Sequence, residues 1–248
     1  MKISYRKLIS LKKRMEAACR GKMNVHFLHI RKTGGTAIKS ALEHAQSTPN
    51  AVIYTHPHRV CLADIPRRHK VMFALRDPVD RYVSGFMSRF RKGEPANLVS
   101  WTAEEAVAFA RFKTPDDLAR ALDPGASDHE AAVEAMSAIP HLASKQCDWL
   151  GDERLFNARC DDIIWIGKQE SLTSDFAALK GFLELPSGVI LPSGTREAHR
   201  APTNSSAKTE LSEEAHCHVT NWYSDDYALI EWCVRWREAN KGPVRLST

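Results

Sequence analysis

The feature that constrains this chain most is an apolar run that breaks into a glycine turn and then into helical spacing. Asn24 to Ile30, NVHFLHI, reads as a buried strand. Arg31-Lys32-Thr33-Gly34-Gly35-Thr36 forms the turn, and Ala37 to Ala45 places apolar residues at helical spacing. Strand, tight turn and helix in that order open a parallel sheet covered by helices. The pattern recurs. Ala51 to Tyr54, Val71 to Leu75 and Ile163 to Ile166 read as further strands. Val79 to Phe90, Thr173 to Leu183, Leu211 to Ala239 and most of Thr102 to Ile139 read as helices, with breaks at Thr114-Pro115 and Asp123-Pro124-Gly125. Asp77 is placed to cap the helix after the third strand, with Pro78 at its first position. Pro186 to Ser206 reads as a long loop.

Composition excludes several classes. A chain of 248 residues that is 43% hydrophobic and 26% charged is neither collagen-like, mucin-like nor wholly disordered. Net charge is +5, but residues 1–22 hold eight bases and one acid, leaving 27 bases against 29 acids on the rest. The positive balance belongs to a leader, not to a folded face, so it argues against a nucleic-acid partner. Leu8, Leu11, Met15 and Ala18 recur at helical spacing within that leader. Residues 1–22 are therefore expected to form a basic amphipathic helix that packs on the body, lies on an acidic membrane surface or serves as a transit peptide. Residues 23–248 are expected to form one domain. No apolar run is long enough to span a membrane, and an apolar signal region is missing, which points to a cytoplasmic protein, with membrane association through the leader left open. The six cysteines form no C-x-x-C pair and read as free or buried thiols. His216-Cys217-His218 reads as a surface helix face, and no metal site is expected.

The turn RKTGGT is equipped for an anion. Its glycines let backbone approach a phosphate, the helix start offers N–H groups, and Lys32, Thr33 and Thr36 add a charge and two hydroxyls. It is not a Walker A loop, because Lys32 precedes both glycines. Alone, it is equally a tight turn with a surface lysine. The second segment, Arg76-Asp77-Pro78-Val79-Asp80-Arg81-Tyr82-Val83-Ser84, changes this. It sets an arginine at a strand's carboxyl end, where α/β sheets bind ligands, and a serine on the following helix. Two separated anion sites suit a nucleotide phosphorylated at two places.

FLHIRKTGGTAI resembles the 5′-phosphosulfate loop of sulfotransferases that use 3′-phosphoadenosine 5′-phosphosulfate (PAPS), and LRDPVDRYVSGF resembles their 3′-phosphate motif. Ile166-Gly167-Lys168-Gln169-Glu170-Ser171-Leu172, followed by Asp175-Phe176, is similar to a strand-to-helix segment of the same group, and the branch resembled most is that of the carbohydrate O-sulfotransferases and their bacterial relatives. The resemblance implies an α/β fold: a P-loop-like three-layer domain with a central parallel sheet flanked by helices. It implies in-line transfer of a sulfuryl group from PAPS to a hydroxyl on a glycan or small molecule, without a metal. Lys32 would stabilise the leaving phosphate oxygen, with Arg31, Thr33, Gly34, Gly35, Thr36 and Ala37 around the 5′ group. Arg76 and Ser84 would hold the 3′-phosphate, and Arg200, Thr203 and Asn204 would close over the nucleotide. His56 is the preferred base and His58 the second, in Tyr54-Thr55-His56-Pro57-His58; the reading set below it is two surface loop histidines beside a proline. His29 reads as a core residue inside a strand, and His141 and His199 rank behind. Gln146 reads either as part of the acceptor cleft or as a buried amide. Arg31 stands where the family often has proline. Two other readings remain at this point: a nucleotide or small-molecule kinase, which needs magnesium ligands that are not evident, and a non-catalytic module that binds adenine nucleotides.

Overall fold

A computed structural model of the chain describes residues 21–94, 98–192 and 210–240. The leader expectation falls on residues 1–22, of which 1–20 lie outside the described residues. Four strands form one sheet: β1 (Met23–Leu28), β2 (Ala51–Thr55), β3 (Lys70–Leu75) and β4 (Ile163–Lys168). All neighbours pair in parallel, in the order β2-β1-β3-β4. The helices in chain order are α1 (Gly35–Glu43), α2 (Pro78–Phe90), α3 (Ala103–Arg111), α4 (Pro115–Arg120), α5 (His129–Ala138), α6 (Pro140–Ala143), α7 (Cys147–Leu150), α8 (Glu153–Ala158), α9 (Leu172–Phe182), α10 (Glu213–Trp222) and α11 (Ser224–Ala239). Strand and helix expectations match these elements to within a few residues. One differs: β1 ends at Leu28, so His29 lies beyond the strand, in the turn.

Strand order decides where a ligand can sit. The chain leaves β1 to one side to make β2, then returns to the other side to make β3. Connections above β1 and β3 therefore diverge, and a crevice opens at their carboxyl ends. The two anion-binding segments leave from those two adjacent strands, at the same end.

Both faces of the sheet are buried, which explains why its strands are near-continuous apolar runs. On one face Val25, Phe27, Ile53, Met72 and Ala74 pack against Ile38, Ala41 and Leu42 of α1 and Phe176 and Leu179 of α9. On the other, Leu28, Val71, Phe73, Leu75 and Ile163 meet Trp149 and Leu150 of α7, Phe156 of α8 and Leu229 and Cys233 of α11. A register shift between Val71 and Met72 lets successive residues Ile164 and Trp165 of β4 both serve the first face. This is an α/β arrangement with helices on each side of a central parallel sheet.

A third apolar cluster contains no strand. Tyr82 and Phe86 of α2 pack with Phe109 of α3, Leu118 of α4, Met136 of α5, Leu142 of α6 and Val219 of α10. Inside it Arg89 Nε donates to Glu105 Oε1 at 2.6 Å. Glu105 also accepts from the Thr102 N–H at 3.0 Å, completing a capping box at the start of α3. Truncating one member of such a buried pair costs about 3–5 kcal/mol, because the other charge stays buried.

Among the described residues, five cysteines are unpaired and no helix is long and apolar enough to cross a membrane. One group of side chains there, Asp123, Glu214 and His218, has metal-capable spacing, although none was expected; Glu214 is already paired with Arg120 at 3.5 Å.

Candidate active site

The β1–α1 turn is shaped by backbone. Lys32 and Gly34 both adopt left-handed conformations, φ 65° and 82°. For a lysine this costs about 1–2 kcal/mol, a strain held by its surroundings. The Thr33 hydroxyl, expected to face the anion, instead donates to the Ile30 carbonyl at 3.1 Å and closes the turn. Gly34 is the N-cap of α1 and has no side chain to cap it, and no acid lies in the first helical turn. The N–H groups of Gly35 and Thr36 are thus left to an external anion. The Ala37 N–H donates to the Gly34 carbonyl at 3.1 Å and so supports the turn. Close approach also demands glycine here. A Cβ on Gly35 would overlap the His29 ring, and one on Gly34 would lie 2.8 Å from Leu172 Cδ2. Arg31 donates to the Pro140 carbonyl at 3.2 Å.

The β3–α2 turn is built differently. Asp77 caps α2, accepting from the N–H groups of Val79 at 2.9 Å and Asp80 at 3.0 Å, and Pro78 follows as N1. Its own N–H donates to Glu170 at 3.0 Å, and its second oxygen accepts from the Tyr227 hydroxyl at 3.2 Å. What this turn offers a ligand is side chain. Gln146, fully buried, grips the Arg76 backbone twice: it accepts from the N–H at 3.1 Å and donates to the carbonyl at 2.9 Å. Of its two readings, the buried amide is the one the contacts fit. Arg76 Nε is buried with no partner among the described residues, and so is Arg91 Nε just past the end of α2. Ser84, half-buried, lies on the same face of α2 as Ser88 and Arg91, at i, i+4 and i+7.

These groups share one field. Burial, then Arg76, then Arg91 push the Lys32 ammonium down to about 8. Burial also lowers Arg76, partly offset by Asp80, Glu170 and Asp77. Lys32 thus lies in the field of two arginines, Arg76 from the end of β3 and Arg91 from past the end of α2, each with a buried nitrogen that has no partner among the described residues. Such a set of groups is chemically suited to an anionic ligand.

The two candidate bases sit differently. His56 Nε2 is hydrogen-bonded to His26 Nδ1 at 2.8 Å, and His26 Nε2 to His69 Nδ1 at 2.9 Å, so His56 ends a chain of imidazoles across the sheet. His58 Nδ1 lies 2.7 Å from the His29 carbonyl, which fixes its N–H there and leaves Nε2 as a lone pair. Burial lowers both groups. Only His58 also feels Arg31, Lys39 and Lys32, which puts it beside the cradle. The Trp149 indole further anchors the segment by donating to the His58 carbonyl. His29 contributes twice, its ring lying under Gly35 and 3.9 Å from that of His58.

Arg200, Thr203 and Asn204, expected to cover the nucleotide, lie outside the described residues, as does His199. Sequence reasoning missed Arg91; its only signal was helical spacing from Ser84. No protein-family profile matches the chain, and no curated protein or solved structure matches it.

Proposed function

We propose that the protein is a PAPS-dependent sulfotransferase acting on an acceptor hydroxyl. The observation that carries this is the placing of Lys32 and Arg76 at the carboxyl ends of adjacent strands, beside an open glycine turn, with Lys32 in the field of both Arg76 and Arg91. A P-loop-like reading of the fold goes with it: the turn after β1 takes the 5′ end of the nucleotide and the turn after β3 the 3′ end.

PAPS supplies the sulfuryl group: a sulfur–oxygen bond to the acceptor forms as the bond to the 5′-phosphate oxygen breaks, and the electron pair leaves with that oxygen. Lys32 stabilises the negative charge developing there, and the first-turn amides of α1 hold the phosphate in line. Arg76 and Ser84 bind the 3′-phosphate. His58 takes the acceptor proton on Nε2. Its Nδ1–H stays on the His29 carbonyl, which orients the ring and steadies the imidazolium that forms. His58 is preferred to His56 because His56 Nε2 is engaged by His26.

The acceptor is proposed to be a carbohydrate or small molecule with a free hydroxyl. Incubation with radiolabelled PAPS and whole-cell glycan and metabolite extracts, with products identified by mass, tests the reading. Labelled product that disappears with Lys32→Ala supports it. Nucleotide binding without transfer to any fraction favours the non-catalytic module instead.

A further inference from the structure

Three side chains outside the two turns are set around one point. Glu214 and His218 stand at i and i+4 on α10, so they share a face of that helix. Asp123 comes from the turn that follows α4. A carboxylate oxygen of Asp123, one of Glu214 and a ring nitrogen of His218 all lie within 4.8 Å of one another. Exposed carboxylates often gather with no ion between them. The imidazole is what sets this group apart.

His218 Nδ1 lies 3.1 Å from the Ala119 carbonyl of α4. A carbonyl only accepts, so Nδ1 carries the proton, and Nε2 of the neutral ring is a lone pair. Histidines that ligate metals are held in this way, the second ring nitrogen donating to a backbone carbonyl or carboxylate. His218 Nε2 is 3.7 Å from Asp123 Oδ2. That is too long for a hydrogen bond. It is close to the separation of roughly 3.4 Å between two ligands of one tetrahedral zinc, whose bonds to nitrogen and oxygen are about 2.0–2.2 Å.

The frame around these groups is already fixed. Asp123 Oδ1 accepts from the Gly125 N–H at 2.6 Å, which holds the carboxylate and leaves Oδ2. Ser212, the N-cap of α10, donates its N–H and its hydroxyl to Asp116 Oδ1 of α4 at 2.7 and 2.9 Å. Val219 of α10 and Leu118 of α4 share one apolar cluster. Glu214 has to leave Arg120, 3.5 Å away, but both of those side chains are exposed, and exposed pairs hold their partners weakly.

We propose that Asp123, Glu214 and His218 form a binding site for a divalent transition metal of the zinc class, with water in the fourth position, which ties α10 to the turn after α4. One imidazole with two carboxylates suits zinc better than magnesium or calcium, which take oxygen ligands. The site does not rest on the proposed function, and no step of that chemistry passes through it.

Zinc titration of the full chain in competition with a chromophoric chelator tests this. Wild type is compared with Asp123→Asn, Glu214→Gln and His218→Ala. A double variant, His216→Ala with Cys217→Ser, removes the exposed ligands next to the site. Asparagine at 123 keeps an acceptor for the Gly125 N–H, so the turn survives. Wild type is expected to take up one zinc per chain. Each single variant should weaken zinc by roughly 10- to 100-fold, since losing a ligand costs at least as much as losing the group that orients it. The double variant should keep wild-type affinity. Thermal melts give a second reading: zinc should raise the midpoint of wild type and of the double variant, and not that of the single variants. No uptake by wild type overturns the site. Uptake untouched by Asp123→Asn and Glu214→Gln, an adventitious ion only, overturns it as well, and so does a loss confined to the double variant.

Discussion

Two turns leave adjacent strands at the same end of this sheet, yet they present opposite chemistry. After β1 the helix begins on a bare glycine, with no acid in its first turn. After β3 the helix begins on Asp77, whose carboxylate occupies the N–H groups of Val79 and Asp80. The first turn can receive an anion on backbone. The second already carries one of its own and can receive another only on side chains, chiefly Arg76. A strand–turn–helix unit is thus not an anion site by topology alone; the residue at the N-cap decides it. On the proposed function, the difference also assigns the ends of the bisphosphorylated ligand: the end where chemistry occurs goes to the rigid backbone cradle with Lys32, and the recognition end to an arginine held in place by Gln146.

Breaking the first turn should have the largest effect. Gly35→Ala drives a methyl into the His29 ring, and binding of the desulfated nucleotide adenosine 3′,5′-bisphosphate (PAP), measured by titration, should be abolished. Lys32→Ala leaves the cradle intact but removes its charge; turnover should fall by about 10²–10³-fold, with a smaller loss of PAP affinity in the same titration. Arg76→Ala addresses the second turn and should weaken PAP by roughly 10- to 100-fold while leaving 5′-AMP nearly unaffected, a contrast that competition binding reads directly. A pH series separates the turns further. Lys32 in the free protein titrates near 8, so its charge is present below that value and lost above it. PAP affinity should therefore fall as pH rises through about 8; Lys32→Ala should flatten that dependence, while Arg76→Ala, which removes one of the charges that depress Lys32, should move it to higher pH. The smallest effect belongs to Asp77→Ala, which should lower stability by about 1 kcal/mol in thermal melts and leave PAP affinity almost unchanged.

Much of this frame was legible in the sequence because its determinants are local. NVHFLHI followed by RKTGGT specifies strand, turn and helix within a few residues, and Asp77-Pro78 marks the second helix start for the same reason. Parallel strands with both faces covered leave a continuous apolar signature. What was not legible depends on residues brought together from far apart. Gln146 reaches Arg76 across 70 positions, and Arg31 reaches Pro140 across 109. His29 reads as a strand residue, because nothing local says that β1 stops at Leu28 and that the ring must lie beneath Gly35. His56 and His58 were inseparable by spacing; they differ only in what each ring nitrogen meets, His26 in one case and a backbone carbonyl in the other. Thr33 and Ala37 looked like ligand contacts by position, yet a hydroxyl and an amide in a tight turn found nearer partners in the turn itself.

The central claim is that the two turns grip opposite ends of one nucleotide. Titration of the wild-type protein with PAP, 5′-AMP and 3′-AMP under one set of conditions tests it most directly. Two cooperating turns require PAP to bind at least 10-fold more tightly than either monophosphate, since each phosphate adds a charge-assisted contact of roughly 1.5–3 kcal/mol. If PAP binds no more tightly than the better of the two monophosphates, the turns do not act on one ligand and the account is wrong.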